Sequence, residues 1–363
     1  YKTSKSMRIL QIIDSLEIGG AEKMAVNYAN TLCDKIEFSG LVATRKEGNL
    51  KRYVNKKVNY LFLNRKKTID IKALLILRTY CKQHKIQYLH AHSSSFFLSF
   101  LIKISLPSIQ IIWHDHNGLS DFVSRRETFA LKTASYFFKG IIVVNHQLKD
   151  WAVKELHCKN VISLANFTTL DLNEIKETTL LGTEGKRILC LANLRFQKNH
   201  FLLLEVAKKL KMSHPDWSFH LVGKDFKDDY AAKLNSEIIS NDLQNNVFLY
   251  GLKNDSNNIL NQSDIAILTS QSEGLPVALI EYGLSKKAVV STNVGEIPLI
   301  ITNGENGFLI SKFDSEAFYQ SLVTLIENPA LRIQFGDELC KIVSKNNAEI
   351  EVIQLYLNWL KVI

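Results

Sequence analysis

Short apolar runs alternate with amphipathic stretches along almost the whole chain. Residues 8–13 (RILQII) are mostly apolar over too few positions for a surface helix, and they predict a buried strand. After the Gly19-Gly20 turn, Met24, Ala25, Tyr28, Ala29 and Leu32 recur at a helical period and predict a helix over 21–33. The same alternation predicts strands at 39–44, 60–63, 88–91, 109–113 and 141–144, with helices at 71–84, 96–104, 127–138 and 146–155. It pauses over the polar, Thr-containing stretch 166–185 and then restarts. Strands follow at 187–191, 218–222, 247–250, 265–268 and 288–292, and helices at 200–214, 229–241, 277–285 and 315–327. The last segment, 348–363, reads as a separate amphipathic helix with Ile350, Ile353, Leu357 and Leu360 on one stripe. Strands alternating with helices mean parallel sheets covered on both faces, so the expected fold is α/β with two doubly wound, Rossmann-like domains. The boundaries expected are 1–168, 169–345 and a final helical segment 346–363. In such sheets ligands bind beyond the carboxyl ends of the strands, and two facing domains would enclose a cleft.

Composition supports this picture. Of 363 residues, 46% are apolar and 22% charged, with a mean hydropathy of −0.03, which excludes disordered and fibrous classes. The most lipid-like stretch, 96–112, is interrupted by Lys103 and Pro107, so no membrane-spanning helix is expected. The first six residues have no apolar signal core and read as a polar leader. The five cysteines show no CxxC spacing, which suits a reducing cytoplasm and small buried side chains, not a zinc site. Charge is unevenly placed: residues 1–165 hold 26 Lys and Arg against 12 Asp and Glu, a net of +14, whereas the remainder is net −5. The basic run from Arg45 to Lys67 suits an anionic membrane surface or a polyphosphate, or is only a solvated face. No aromatic-studded RNA motif or zinc finger accompanies it, so nucleic acid is not an expected partner.

Chemistry-bearing residues fall just after strands. The segment 270–283, SQSEGLPVALIEYG, places Glu273 and Glu281 just over two helical turns apart. The turn Gly274-Leu275-Pro276 opens the following helix, whose first amides are available to a phosphate or sugar hydroxyl. Glu281, an acceptor-only group, is suited to a ribose diol, or is a surface residue opposite Val277, Leu279 and Ile280. In LANLRFQKNH (191–200), Arg195 and Lys198 are suited to a diphosphate. Gly19-Gly20 permits close approach to a helix N-terminus, although GxGxxG is absent. In WHDHNG (113–118), His114 and His116 are two apart at a strand end and are expected to diverge, so no metal site is expected. His90 and His92 end another strand, so several histidines should gather at one rim. Asp225, Asp228 and Asp229 are spaced too loosely for a DxD motif and read as a solvated helix start. No Ser/His/Asp triad, Walker A loop or HExxH is present.

Together these motifs resemble the retaining glycosyltransferases of family four, with the GT-B fold, over nearly the whole chain. EGLPVALIE matches the E-x7-E motif of that family, with VGEIPLII and NGFLI downstream. The resemblance implies that the C-terminal domain binds a nucleotide-sugar donor, expected to be a UDP-sugar, and that the N-terminal domain binds the acceptor. It implies that Glu281 holds the ribose, and that Glu273 with Gly274, Leu275 and Pro276 contacts donor sugar and phosphate. Arg195 and Lys198 would bind the diphosphate, approached by Gly19 and Gly20 from the other domain. His116, with His114 as the alternative, would stand near the reacting centre, and the final helix would cross back to the N-terminal domain. The catalytic set is thus His116, Arg195, Lys198 and Glu273, with no metal or cofactor. Two positions depart from the pattern: Asn193 stands where an arginine is usual, and Leu299 where Glu is frequent. The implied reaction is transfer to a glycan or polyprenyl-diphosphate-linked acceptor in bacterial capsule, exopolysaccharide or O-antigen synthesis. A cytoplasmic enzyme, peripheral on the inner face of the plasma membrane, is the matching expectation. A nucleotide-sugar epimerase of the same architecture and a non-catalytic sugar-nucleotide-binding scaffold are the alternative readings.

Overall fold

The computed structural model describes residues 6–117, 129–168, 174–347 and 349–363. It divides into two units, Tyr1–Thr168 with Ala348–Ile363, and Thr169–Asn347. The first begins with β1 (Arg8–Ser15), α1 (Gly20–Leu32), β2 (Phe38–Lys46), β3 (Asn59–Phe62) and α2 (Ile71–Gln83). It continues through β4 (Tyr88–His92), α3 (Phe96–Ser105), β5 (Gln110–Asp115), α4 (Phe129–Ser135), β6 (Phe138–Val143), α5 (His146–Glu155) and β7 (Val161–Ser163). The seven strands are parallel in the order β3-β2-β1-β4-β5-β6-β7. Strand order therefore reverses between β1 and β4, and this is where a ligand crevice forms in a doubly wound sheet. Gly118 and residues 127 and 128 of the expected helix lie outside the described residues.

The second unit repeats the plan with β8 (Arg187–Leu191), α6 (His200–Ser213), β9 (Ser218–Val222), α7 (Asp229–Ser240), β10 (Val247–Gly251) and α8 (Ser256–Asn261). Then come β11 (Ile265–Leu268), α9 (Val277–Leu284), β12 (Ala288–Thr292), β13 (Phe308–Ile310), α10 (Ser315–Glu327) and α11 (Pro329–Asn346). Its six strands are ordered β10-β9-β8-β11-β12-β13, so the reversal falls between β8 and β11. The buried strands read as apolar runs because helices cover both faces; Ile188, Leu189, Ile265, Ala266, Ile267, Val289 and Val290 are essentially inaccessible.

The chain ends in α12 (Glu349–Val362), which packs on the first unit through Val352, Ile353, Tyr356, Leu357 and Leu360 against Tyr28, Leu32, Phe167 and other core residues. Ile350, expected on this stripe, is 70% exposed; the stripe is instead completed by Val352 and Tyr356. Helix α11 is not among the elements expected from the sequence. Here Asn328 caps the helix by accepting from Leu331 N–H at 3.1 Å, and proline takes a first-turn position where it loses no bond. Cys33 and Cys340 are half-buried, not core residues as expected; Cys33 caps the C-terminus of α1 at the edge of the core. Among the described residues no helix is long and apolar enough to cross a membrane.

Candidate functional site

At the β8/β11 reversal two loops are bonded to each other. Gln271 N–H donates to Gln197 O at 2.8 Å, and Thr269 Oγ1 donates to Lys198 O at 2.9 Å. This pinning brings Lys198 Nζ to 2.5 Å from Glu273 Oε1, which also accepts from Ser270 Oγ at 2.6 Å. Glu273 is 4% exposed, so the pair is desolvated on the carboxylate side, where an ionic hydrogen bond is strong and its loss costly. Helix α9 starts directly beyond: Pro276 is its N-cap, extended at φ −70 and ψ 128, and the first-turn amides open toward the same loop end. Glu281 is 7% exposed within α9, not on a solvated side, and α11 packs against the same helix. That packing needs Gly283, where a Cβ would lie 2.7 Å from Val343 Cγ2. Tyr282 anchors α9 to the sheet, accepting from Leu191 N–H at 2.7 Å.

Residues that the sequence reading missed hold the carboxylate loop. Thr292 Oγ1 donates to Ser270 O at 2.6 Å, and Glu296 N–H donates to Gly274 O at 3.2 Å. Gly295 is left-handed at φ +57, and a Cβ there would stand 2.1 Å from Glu273 O. Gly295→Ala should therefore displace the Glu273 loop and destabilise the fold by about 1–3 kcal/mol from backbone strain alone. Urea unfolding checks this; an unchanged midpoint would contradict it. The glycine of VGEIPLII was the available sequence signal.

Arg195 opens the tight turn that carries Lys198, its carbonyl accepting from Lys198 N–H at 2.9 Å. It is exposed, with its guanidinium 4.5 Å from the Phe226 ring centre. Asn193 instead accepts from Lys224 N–H at 2.8 Å, fixing the neighbouring loop. Asp228 caps α7 by accepting from Ala231 N–H at 3.0 Å, as a helix start should. Leu299 is exposed.

In the first unit, the β1/β4 reversal is built on Asp14. Its carboxylate accepts from Thr44 Oγ1 at 2.5 Å, Arg65 Nη2 at 2.9 Å and Ser94 Oγ at 2.8 Å. Gly19 caps α1 in an extended conformation, φ −167, that any residue adopts, so the helix entry rather than left-handed geometry is what this loop offers.

The histidines do not diverge. Register pairs His92 with His114 and Gln11 with His90, so Gln11, His90, His92 and His114 share one face of β1, β4 and β5. The rings stack under Tyr28 and Tyr356 in the interior, not at a rim. The His114 and His116 ring centres are 3.8 Å apart. His90, His92 and His114 offer ligand atoms within 4.8 Å of one another, a grouping able to hold a metal ion. In this arrangement the ring nitrogens meet each other: His90 Nε2 and His114 Nδ1 are 3.2 Å apart, and His92 Nδ1 and His116 Nε2 2.9 Å. His92 Nε2 lies 2.8 Å from Gln11 Oε1. With that oxygen as acceptor, His92 is protonated on Nε2, its Nδ1 accepts, and His116 donates from Nε2. Gln11 thus sets the tautomer of His116 through His92.

Burial holds all four imidazoles neutral, with His116 pushed down to about 3 and the others well below the usual histidine value. The unfolded chain binds protons on these rings below about pH 6.5, and the native protein does not. Stability is therefore full above that pH and is lost as pH falls, by about 1.4 kcal/mol per pH unit for each ring. Unfolding midpoints between pH 7 and 5, above the carboxylate range, should drop steeply; a flat profile there would contradict the neutral cluster.

The two halves match two family models: residues 18–166 that of Glycosyltransferase Family 4, and residues 171–346 that of glycosyl transferases group 1. A UDP-Gal:alpha-D-GlcNAc-diphosphoundecaprenol alpha-1,3-galactosyltransferase of Escherichia coli is 24% identical, covering 91% of this chain and 90% of its own. An uncharacterized glycosyltransferase of Haemophilus influenzae is 26% identical over 88% and 90% of the two chains. Among solved structures, HepE of Anabaena with UDP and glucose superposes with a TM-score of 0.81 at 18% identity, covering 98% of this chain and all of that one. A TarM variant of S. aureus, solved with fondaparinux, alpha-GlcNAc-glycerol and UDP, gives 0.77 at 15% identity over 97% and 99%. These two likenesses show a common fold.

Proposed function

Because the chain belongs to the family-four glycosyltransferases of GT-B fold, we propose that it transfers a sugar from a UDP-sugar to a lipid-linked or glycan acceptor with retention of anomeric configuration. The observation that carries this reading is Lys198 bonded to the buried Glu273–Ser270 pair at the β8/β11 reversal, directly before the N-terminus of α9. In this reading the diphosphate lies at that helix N-terminus beside Lys198, and Glu281 holds the ribose diol. As the glycosidic C–O bond breaks, negative charge grows on the departing phosphate and positive charge on the sugar. Lys198 and the α9 amides are oriented in advance toward the first, which lowers the barrier without a metal. Glu273 holds the ammonium in place and lies close to the sugar. Arg195 reaches the diphosphate only by swinging off Phe226. His116, its tautomer set through His92, keeps Nδ1 as an acceptor in the first unit. The departing phosphate takes the acceptor's proton on the front face, which preserves configuration with no enzymic nucleophile.

The acceptor belongs on the basic first unit, whose charge suits a polyprenyl diphosphate. The setting is then assembly of a capsule, exopolysaccharide or O-antigen by a cytoplasmic enzyme peripheral on the inner membrane face. UDP-sugars incubated with lipid-linked acceptors, read by the anomeric proton coupling of the product, test the reading. A product with the donor's configuration is expected. An inverted product would remove the retaining mechanism, and release of an altered sugar without an acceptor would point to epimerisation.

A further inference from the structure

Helix α2 carries two apolar stripes, and among the described residues only one of them is covered. Ala73, Leu77 and Cys81, four apart, are buried in the first unit's core. Across the helix, Ile71 is 69% exposed, Leu75 56% and Ile76 39%, and Ile69 just before the helix is 62% exposed. Isolated exposed aliphatic residues are ordinary, but Ile71 and Leu75 are surface neighbours at i,i+4, with Ile76 beside them. Such a contiguous patch marks an interaction surface.

The surrounding charge identifies the occupant. Lys66, Lys67, Lys72 and Lys82 are all exposed, and Lys82 lies on the same stripe as Leu75. From residue 66 to 82 there are five basic side chains and one acidic, Asp70, whose Oδ1 caps the helix at Ala73 N–H. Aliphatic side chains framed by lysines are the signature of a helix lying in the plane of an anionic bilayer. A second copy of this chain is disfavoured, since a two-fold contact on α2 would set lysines against lysines.

We infer that α2 is a membrane-docking element: Ile69, Ile71 and Leu75 enter the headgroup boundary of an anionic bilayer while the flanking lysines contact lipid phosphates. The inference rests on the reading of a lipid-linked acceptor and names the surface that brings the enzyme to it.

Co-sedimentation with vesicles of phosphatidylglycerol and phosphatidylcholine, against phosphatidylcholine alone, tests it without reference to activity. Wild type should pellet with the anionic vesicles, less at high salt. The Ile71→Glu/Leu75→Glu variant should bind about ten-fold more weakly or worse, from lost apolar burial. Both positions are exposed, so its melting temperature and its stabilisation by UDP-sugar should equal wild type. Wild type that ignores anionic vesicles overturns the inference, as does a variant that pellets like wild type. Analytical ultracentrifugation showing a wild-type dimer that the variant dissociates would assign the face to a second copy and also overturn it. Loss of stabilisation by UDP-sugar in wild type would count against the donor reading separately.

Discussion

Replacing Lys198 by alanine lowers kcat/KM for sugar transfer by about a hundred- to a thousand-fold, the usual cost of removing one preorganised donor from a developing oxyanion. The effect is expected to be this large because the ammonium is already fixed, 2.5 Å from Glu273 Oε1, so the wild-type site reorganises little as charge develops. Its removal also takes one donor from the buried Glu273 carboxylate, which still accepts from Ser270, at a cost of about 1–3 kcal/mol in stability. Kinetics far below the melting temperature separate the two effects. If activity falls only in proportion to the folded fraction, Lys198 is a structural residue and the proposed role is wrong.

Glu273→Gln is the second large effect, and it works through the first. The amide keeps the side chain's shape but removes the charge that holds Lys198, so kcat/KM should fall about ten- to a hundred-fold, the worth of a charged hydrogen bond. Because the two residues act as one unit, the Lys198→Ala/Glu273→Gln double variant should be scarcely slower than Lys198→Ala alone. Purely additive losses in this cycle would mean that the two groups act on the donor independently.

The sequence makes one part of this site readable: the strand, turn and helix that carry Glu273 and Glu281. Their type and order are local, set by an apolar run over 265–268, a Gly-Leu-Pro turn and a helix start at Val277. The packing of α11 on α9 was not readable, since α11 alternates charged positions with the widely spaced Phe335, Leu339 and Val343. The position of Arg195 was also hidden. Its stacking partner, Phe226, follows a different strand, and only sheet order makes them neighbours. The histidine cluster failed in part against a local rule, the two-residue period that puts His114 and His116 on one face, and in part for want of the sheet register. Residues two apart on one strand share a face, but the convergence of His90, His92 and His114 requires the β4/β5 register, which single-strand patterns do not encode. Edge strands β7 and β13 are three residues long, too short to show any period.

The most direct test of a donor site in the second unit is thermal unfolding with a panel of UDP-, GDP- and ADP-sugars, in wild type and Glu281→Ala. UDP-sugars are expected to raise the melting temperature of wild type and to leave Glu281→Ala unchanged, because the ribose diol loses its acceptor. A folded wild type stabilised by none of the panel, or a Glu281→Ala variant stabilised to the same extent, would contradict the account.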